Sequence, residues 1–142
     1  MSSAPLPETD WPLVREFWLA AERSEFVIPR CTTCERHVWY PEEACPHCGG
    51  GEMPWVPMSG RGRLFSWCEV KHPLHPPYAD QLPYVTGLVA LDEDPRVRYV
   101  TRIVDSEPSA LVIEMPMEVV FRELSFAGIE GTVVAPVFKP DV

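Results

Sequence analysis

No stretch of 18 consecutive apolar residues occurs in the sequence, so we expect no membrane-spanning helix and no membrane partner. The opening segment, MSSAPLPETD, has neither the positively charged part nor the apolar part of a secretory signal, and we expect a cytoplasmic protein. Positive charge is scarce: 12 Lys and Arg stand against 21 Asp and Glu, a net charge of −9. Since nucleic-acid binding depends on cations that neutralise phosphates, this balance disfavours a nucleic-acid partner.

Motifs that carry catalysis are missing as well. The sequence contains no serine nucleophile elbow, no glycine loop for phosphates or dinucleotides, and no zinc-protease helix. Carboxylates are numerous, but no pair has a spacing that assigns acid and base roles. We therefore predict no catalytic residue, and the sequence assigns no residue to an organic cofactor.

Chain length limits the size of the fold, and proline content limits the length of its helices and strands. A chain of 142 residues has room for one sizeable core and a small satellite module, and 46% apolar residues suffice to build that core. The 17 prolines are scattered along the chain, and each one interrupts a helix or removes a hydrogen bond from a sheet. Short strands joined by long loops are the expected result.

One helix is predicted near the beginning of the chain. Asp10 is a suitable N-cap, and Pro12 is tolerated in a first helical turn. Apolar residues then recur at helical spacing on one stripe, which predicts an amphipathic helix of three to four turns. The stripe packs either on this chain's own barrel or on a partner protein; its members are Val14, Phe17, Trp18 and Ala21.

Four cysteines form the strongest motif in the sequence. Cys31 and Cys34 make one Cys-x-x-Cys pair, and Cys45 and Cys48 make a second pair ten residues later. Each pair bends into a turn that presents two sulfurs to one ion, and two such turns complete the tetrahedron that zinc prefers. We predict a structural zinc site at these cysteines, because four protein sulfurs leave no open position for water or substrate.

The metal segment allows alternatives to a four-cysteine zinc site. Iron in a rubredoxin-like site is the main alternative to zinc, whereas disulfides are disfavoured for a chain in a reducing compartment. His37 and His47 lie inside the segment, but four well-spaced cysteines leave them no place as ligands. We expect both histidines to be exposed or hydrogen-bonded to the cysteine turns.

The second half of the sequence is β-rich. Five runs of β-branched and aromatic residues, at 63–70, 83–91, 96–104, 117–124 and 132–138, are separated by turn residues. Five antiparallel strands favour a small OB-type barrel, with a sandwich as the alternative. The predicted fold class is mainly β: an N-terminal helical segment (1–29), a rubredoxin-like zinc ribbon (30–58) and a five-stranded OB-type barrel (59–142).

The sequence also allows predictions for residues outside the metal segment. Cys68 is expected to be a buried, inert thiol in the first barrel strand, and the loop histidines His72 and His75 are expected to be solvated. The loop 72–83 is either an ordinary connection or a lip that faces a ligand or partner. Six basic residues form either a solvated sheet face or a contact for an anionic cofactor such as a coenzyme A diphosphate; they are Arg61, Arg63, Lys71, Arg96, Arg98 and Arg102.

The order of these parts, from about Trp11 to Pro140, resembles the zinc-ribbon and OB-fold accessory proteins known as the domain-of-unknown-function-35 family. The residues that carry the resemblance are Cys31, Cys34, Pro41, Cys45, Pro46, Cys48 and Gly49, then 59–63, LVALDEDPRV, and 136–140 with Phe138. Members of this family are companions of acyl-CoA enzymes: thiolase-fold ketothiolases and acyltransferases, hydroxymethylglutaryl-CoA synthases, MaoC-type enoyl-CoA hydratases and retro-aldolases.

The resemblance implies a non-catalytic subunit of a hetero-oligomer that stabilises a thiolase-fold acyl-CoA enzyme and helps form the passage for its coenzyme A thioester. A MaoC-type hydratase or a retro-aldolase is the alternative partner. Two other classes stay open: a stand-alone OB module that binds single-stranded nucleic acid, and an enzyme in its own right acting through Cys68 or His75. Which acyl-CoA is handled is not predicted.

Overall fold

The computed structural model describes residues 5–142 and contains one short helix followed by seven strands. Two short strands pair with each other, and the remaining five close into a barrel. The elements are α1 (Arg15–Glu22), β1 (Val27–Pro29), β2 (Trp55–Pro57), β3 (Arg61–Val70), β4 (Tyr84–Leu91), β5 (Asp94–Ile103), β6 (Pro116–Leu124) and β7 (Val133–Pro140), with 3₁₀ turns at Pro76–Gln81 and Pro108–Ala110. The prediction of a mainly β fold with an OB-type barrel is confirmed.

The barrel interior follows from the alternation of side chains along each strand. In β4 every second residue is buried, and the inward side chains include Val85, Val89 and Leu91. From β7, Phe138 reaches the centre of the same core and is fully buried. All five predicted strand positions are confirmed, and β4 and β5 form an antiparallel hairpin whose turn contains Asp92 and Glu93.

Closure of the barrel introduces one pairing that we did not expect. The strand order is β3-β4-β5-β7-β6, and β6 returns to pair with β3. Every pair is antiparallel except β5 with β7, which meet in parallel at Ile103 and Phe138. An odd number of strands in a closed ring cannot alternate direction throughout, so the prediction of five purely antiparallel strands was wrong for that pair.

The helix is shorter than predicted. It begins at Arg15 and has eight residues, because residues 12–14 form a turn in which the Trp11 carbonyl accepts hydrogen bonds from the N–H groups of Val14 and Arg15. Asp10 is not the N-cap; instead its backbone carbonyl accepts a hydrogen bond from the Arg15 side chain. At the other end, Ser24 adopts a left-handed backbone (φ 59°) that stops the helix.

The apolar stripe of the helix is covered by this chain itself. Val14, Phe17 and Ala21 are buried, and the Phe17 ring lies 4.8 Å from the Trp39 ring and 6.3 Å from the Tyr99 ring. The interpretation of this stripe as a surface for a partner protein is therefore wrong. Aromatic packing instead joins the helix, the metal segment and the barrel into one cluster.

The long loop between β3 and β4 is partly ordered. Its second half forms a 3₁₀ turn, where Tyr78 packs edge-on against Phe126 and Gln81 donates a hydrogen bond to the Ser125 carbonyl. The loop is thereby attached to the loop that joins β6 and β7. Across the described residues 5–142, no helix has the length and apolar character needed to cross a membrane.

Candidate metal centre and the adjoining cleft

The metal segment is suspended between the two strands of the small sheet. β1 and β2 pair in antiparallel register, with Ile28 opposite Val56, and an isolated bridge between Arg30 and His37 closes the first cysteine turn. The Cys31 N–H donates to the Arg36 carbonyl across this bridge. The pairing fixes the position of the first cysteine pair, and the glycines after Cys48 bring the chain back to β2.

The four cysteine sulfurs meet at one point. All four Sγ atoms lie within 4.8 Å of one another, with 3.6 Å between Cys31 and Cys48 and 3.6 Å between Cys34 and Cys45. A tetrahedron with zinc–sulfur bonds of about 2.3 Å has sulfur–sulfur edges of about 3.8 Å. The four side chains therefore fit one tetrahedral ion without rearrangement of the backbone.

Backbone N–H groups are aimed at the sulfurs, as a thiolate centre requires. Thr33 N–H donates to Cys31 Sγ and His47 N–H donates to Cys45 Sγ, each at 3.4 Å. Hydrogen bonding from the backbone of Cys34, followed by that from Thr33, lowers the pKa of the Cys31 thiol to about 6. These hydrogen bonds favour the thiolate form of Cys31, which is the form that binds a metal ion.

A glycine is required beside the centre. Gly51 has a left-handed backbone (φ 79°), and a Cβ placed on it would lie 2.9 Å from Cys31 Sγ. Any larger residue at this position would collide with the sulfur and strain the backbone. Of the three glycines after Cys48, Gly51 therefore has a steric role, whereas a Cβ on Gly49 or Gly50 would meet nothing within 4 Å.

The two histidines of the metal segment have different roles. His47 is exposed and touches the centre only through its backbone N–H, which confirms the sequence expectation. His37 faces away from the sulfurs and contacts the barrel: its N–H donates to Asp94 Oδ2 at 3.3 Å, and its Nδ1 lies 3.5 Å from the same oxygen. His37 is therefore a link between the metal segment and β5.

Asp94 is the charged residue at this junction. It is only 5% exposed, and burial alone would raise its pKa, but Arg96 Nε and Nη2 donate to its two oxygens at 2.8 and 3.1 Å. These bonds and the His37 N–H outweigh the burial and lower the pKa of Asp94 to about 2. Asp94 thus stays a carboxylate at neutral pH and holds the two parts together.

A cleft of about 490 Å³ opens beside this junction. Its walls combine aromatic rings with polar and charged groups, and its lining includes Trp11, Trp39, Tyr40, Arg36, Glu42, His47 and Arg96. Arg36 Nε is buried there and has no hydrogen-bond partner among residues 5–142. An anionic group in the cleft would satisfy this donor.

Sequence reasoning missed Asp94 and Arg36. Asp-x-Arg at spacing two in a strand places the side chains of Asp94 and Arg96 on one face, and this pattern is the local signal that could have found the pair. The contact between His37 and Asp94 joins residues 57 positions apart, and no local pattern encodes it. Arg36 carried no signal beyond its position in the metal segment.

The prediction of a buried Cys68 was wrong. Cys68 is exposed and lies opposite Thr86 on the outside of the barrel. A bulge between Leu64 and Ser66 inserts one extra residue in β3, so Leu64 points inward while Ser66 and Cys68 point outward. Strict alternation from Leu64 would have placed Cys68 inside, and the bulge reverses that assignment.

The remaining candidates do not gather at the metal centre. His72 is exposed on the loop, and the His75 ring lies 6.0 Å from the Tyr78 ring. The six basic residues also divide: Arg61 pairs with Asp141, Lys71 with Glu69 and Arg96 with Asp94. The other three, Arg63, Arg98 and Arg102, have no carboxylate within 4.0 Å among the described residues.

Comparisons with known proteins agree with this architecture. Residues 18–54 match the family model described as the rubredoxin-like zinc ribbon domain of ChsH2, and residues 55–122 match the C-terminal OB-fold domain of ChsH2. A probable enoyl-CoA hydratase alpha subunit from Thermomonospora curvata is 35% identical over 127 residues, 89% of this chain. The chain spans only 37% of the length of that relative.

Shorter relatives match along most of their length. A DUF35 domain-containing scaffold protein from Methanocaldococcus jannaschii is 30% identical, with 87% of this chain and 86% of the relative aligned. Its counterpart from Methanothermobacter thermautotrophicus is also 30% identical, covering 84% of this chain and 89% of its own.

Solved structures give the same assignment. A structure titled Ltp2-ChsH2(DUF35) aldolase contains a chain that superposes with a TM-score of 0.75 and 32% identity, covering 96% of this chain and 100% of its own. A DUF35 protein of unknown function from Sulfolobus solfataricus shares the fold, with a TM-score of 0.60 and 13% identity over 94% of this chain and 89% of its own. The chain belongs to the DUF35 family of scaffold proteins, which combine a ChsH2-type zinc ribbon with an OB-fold.

Proposed function

We propose that this chain is a non-catalytic accessory subunit that binds and stabilises an acyl-CoA enzyme and completes the passage for its coenzyme A thioester. The observation that carries the proposal is the likeness, over 96% of this chain, to the ChsH2 component of an aldolase structure. Relatives of similar length named as scaffold proteins support it further. The expected assembly is a hetero-oligomer in the cytoplasm, where thiols stay reduced.

The catalytic partner proposed from the sequence is a thiolase-fold ketothiolase or acyltransferase. A second candidate has specific support, because one relative is named a hydratase alpha subunit and the matched structure is titled an aldolase. A MaoC-type hydratase or a CoA-thioester retro-aldolase is therefore proposed beside the thiolase. All three enzyme classes act on coenzyme A thioesters, so the accessory role is the same in each.

Cys31, Cys34, Cys45 and Cys48 are proposed to hold one zinc ion with a structural role. Their sulfurs have the spacing of a tetrahedral site, and all four ligand positions are taken by protein. Zinc bound in this way supplies cross-linking and no open coordination position for chemistry. The division of the chain at residues 29 and 58 stays a prediction, since the aromatic cluster joins all three parts.

The cleft at the junction is proposed as part of the coenzyme A passage. Its aromatic walls suit a purine ring or the pantetheine arm, and Arg36 offers an unpaired donor for a phosphate. Of the two arginines in the lining, Arg96 is paired with Asp94, so Arg36 is the arginine that has no carboxylate partner there, and Glu42 lies in the same lining. A single-stranded nucleic acid remains the competing ligand for an OB module, and the test below includes it.

Co-purification with candidate enzymes tests the accessory role. The chain is co-expressed with a thiolase-fold acyltransferase, a MaoC-type hydratase and an aldolase from the same genome, and each mixture is analysed by size-exclusion chromatography with light scattering. We expect a stable hetero-oligomer with one of them and higher activity of that enzyme on its acyl-CoA. A chain that stays separate from all three, or that turns over acyl-CoA alone, contradicts the proposal.

Titration with coenzyme A tests the cleft. The complex is titrated calorimetrically with coenzyme A, using the wild-type chain, Arg36→Ala and the control Arg23→Ala, whose side chain lies on the exposed face of α1. We expect Arg36→Ala to weaken binding about tenfold, and the control to leave it unchanged. Binding of a single-stranded oligonucleotide in preference to coenzyme A would favour the nucleic-acid reading instead.

A further inference from the structure

The outside of the barrel carries a cationic face on an otherwise acidic chain. The outward residues of β3, β4 and β5 include Arg63, Arg98 and Arg102, and none of the outward positions that pair between these strands is Asp or Glu. Three carboxylates, Glu69, Asp105 and Glu107, line the groove at the edge of this face beside Arg102. Elsewhere acidic residues dominate, with 21 Asp and Glu against 12 Lys and Arg overall. We define the arginine face as Arg63, Phe65, Leu88, Arg98, Val100 and Arg102.

The centre of this face is apolar. Val100 is 63% exposed and lies opposite Leu88, which in turn lies opposite Ser66, next to the bulged Phe65. The segment before β6 lies beside β3, where Glu114 N–H donates to the Leu64 carbonyl, and its Val112 and Ile113 are also exposed. An exposed apolar strip with a charged border is typical of a protein-docking surface.

The arginines are held flat beside this centre. The Arg98 guanidinium lies 4.0 Å from the centre of the Phe65 ring, and the Arg102 guanidinium lies 4.5 Å from the centre of the Tyr84 ring. Arg98 and Arg102 stand two residues to either side of Val100, so about 14 Å of strand separates their Cα atoms. They border a broad area and do not converge on one point, as a phosphate clamp would require.

A second copy of this chain is a poor occupant. Two arginine faces placed together about a two-fold axis would bring six guanidiniums without carboxylate partners into one interface. An acidic face of another copy would instead give a head-to-tail contact, which builds a ring or an open filament and not a two-fold dimer. Charge complementarity therefore favours a different protein, whose surface has an apolar centre and an acidic rim.

We infer that the arginine face is the surface on which the catalytic acyl-CoA enzyme docks, through an apolar patch bordered by Asp and Glu. This inference rests on the proposed function, because it names the surface used for that partnership. It also replaces the helix stripe as the partner surface, since the stripe is buried within the chain. Val100 and Leu88 form the dry centre, and the arginines set orientation and association rate.

Variants of the face test this inference in the complex. Val100→Asp and the double variant Arg98→Glu/Arg102→Glu are compared with Leu19→Asp and Arg15→Glu/Arg23→Glu, matched changes on the exposed side of α1. Affinity for the enzyme that co-purifies with the wild-type chain is measured by surface plasmon resonance at two salt concentrations. Circular dichroism and metal content verify that each variant is folded.

We expect Val100→Asp to weaken the complex at least thirtyfold, mainly through faster dissociation. The double arginine variant is expected to lower the association rate at least tenfold and to remove most of its salt dependence. The helix variants should stay within twofold of wild type. Replacing an acidic residue of the enzyme by Lys should restore part of the affinity of the double arginine variant.

Several outcomes would overturn the inference. If the wild-type chain binds the enzyme and the face variants bind equally well, the docking surface lies elsewhere and the proposed function stands. If the wild-type chain binds none of the candidate enzymes, both ideas fail together. If the arginine variant loses coenzyme A or oligonucleotide binding but keeps its partner, the face is a ligand site and the inference is wrong.

Discussion

The metal segment (residues 30–58) and the barrel (β3–β7) are held together by different interactions. The segment's own buried cluster consists of Cys31, Val38 and Cys45, with Cys34 and Met53 packed against it. The barrel contributes most of a continuous apolar core centred on fully buried side chains such as Leu64, Met117 and Phe138. We expect the barrel to fold on apolar burial and the metal segment to need the proposed zinc ion.

Removal of the metal should produce the largest difference in stability between the metal segment and the barrel. Chelation, or Cys45→Ser, is expected to cost on the order of 10 kcal/mol of folding free energy in the metal segment, by analogy with zinc-finger peptides. Amides of residues 30–54 should lose protection in hydrogen exchange measured by mass spectrometry, while β4 and β5 keep theirs. Cys68→Ser is the control and should change neither metal content nor protection, since Cys68 lies outside the tetrad.

Equal protection of the metal segment with and without metal would contradict this comparison. Loss of protection throughout the barrel would contradict it in the other direction. That result would mean that the barrel depends on the ion through the aromatic cluster around Phe17 and Trp39.

Phe138→Ala should destabilise the barrel and leave metal binding unchanged. Phe138 is fully buried and contacts the rings of Phe26 and Tyr99 at 5.7 and 5.8 Å. Its truncation leaves a cavity and should lower the free energy of unfolding by about 3–5 kcal/mol in urea titrations. Zinc stoichiometry should stay at the wild-type value, because the sulfurs are held by their own turns. Val137→Ala, at the outward neighbour, is the control and should cost far less.

Asp94→Asn tests the contact between the two regions. The pair with Arg96 is half open to solvent, so we expect a loss on the order of 1–2 kcal/mol at pH 7, with faster exchange of the His37 amide. The pKa of Asp94 in the folded chain, about 2, lies below the ordinary value of 3.8. The carboxylate's contribution is therefore complete above pH 4 and disappears as the pH falls towards 2. A difference between wild type and variant that persists at pH 2 would exclude this explanation.

Local patterns in the sequence were enough to predict the cysteine tetrad and the five barrel strands. The cysteine spacing and the alternation of apolar residues are local patterns that extend over a few positions, and the structure agrees with both. Three features depend on more distant neighbours: the bulge that turns Cys68 outward, the contact of His37 with Asp94, and the burial of the Phe17 stripe. A closed ring of five strands requires at least one parallel pair, but this argument does not identify β5 and β7 as the strands that form it.

The smallest effect is expected at the ion pair of Arg122 and Asp105. Its Nη2–Oδ2 distance of 2.6 Å is shorter than the 2.8 Å between Arg96 and Asp94, and hydrogen bonding to Arg122 likewise lowers the pKa of Asp105. Both side chains are nearly half exposed, however, so water and salt compete for each charge. Asp105→Asn should leave the melting temperature within about one degree of wild type at 0.15 M salt, measured by calorimetry. A loss of stability as large as that of Asp94→Asn would mean that the distance between the charged atoms, and not burial, decides the strength of these pairs. The Asp94 contact would then stabilise the junction no more than an exposed ion pair does.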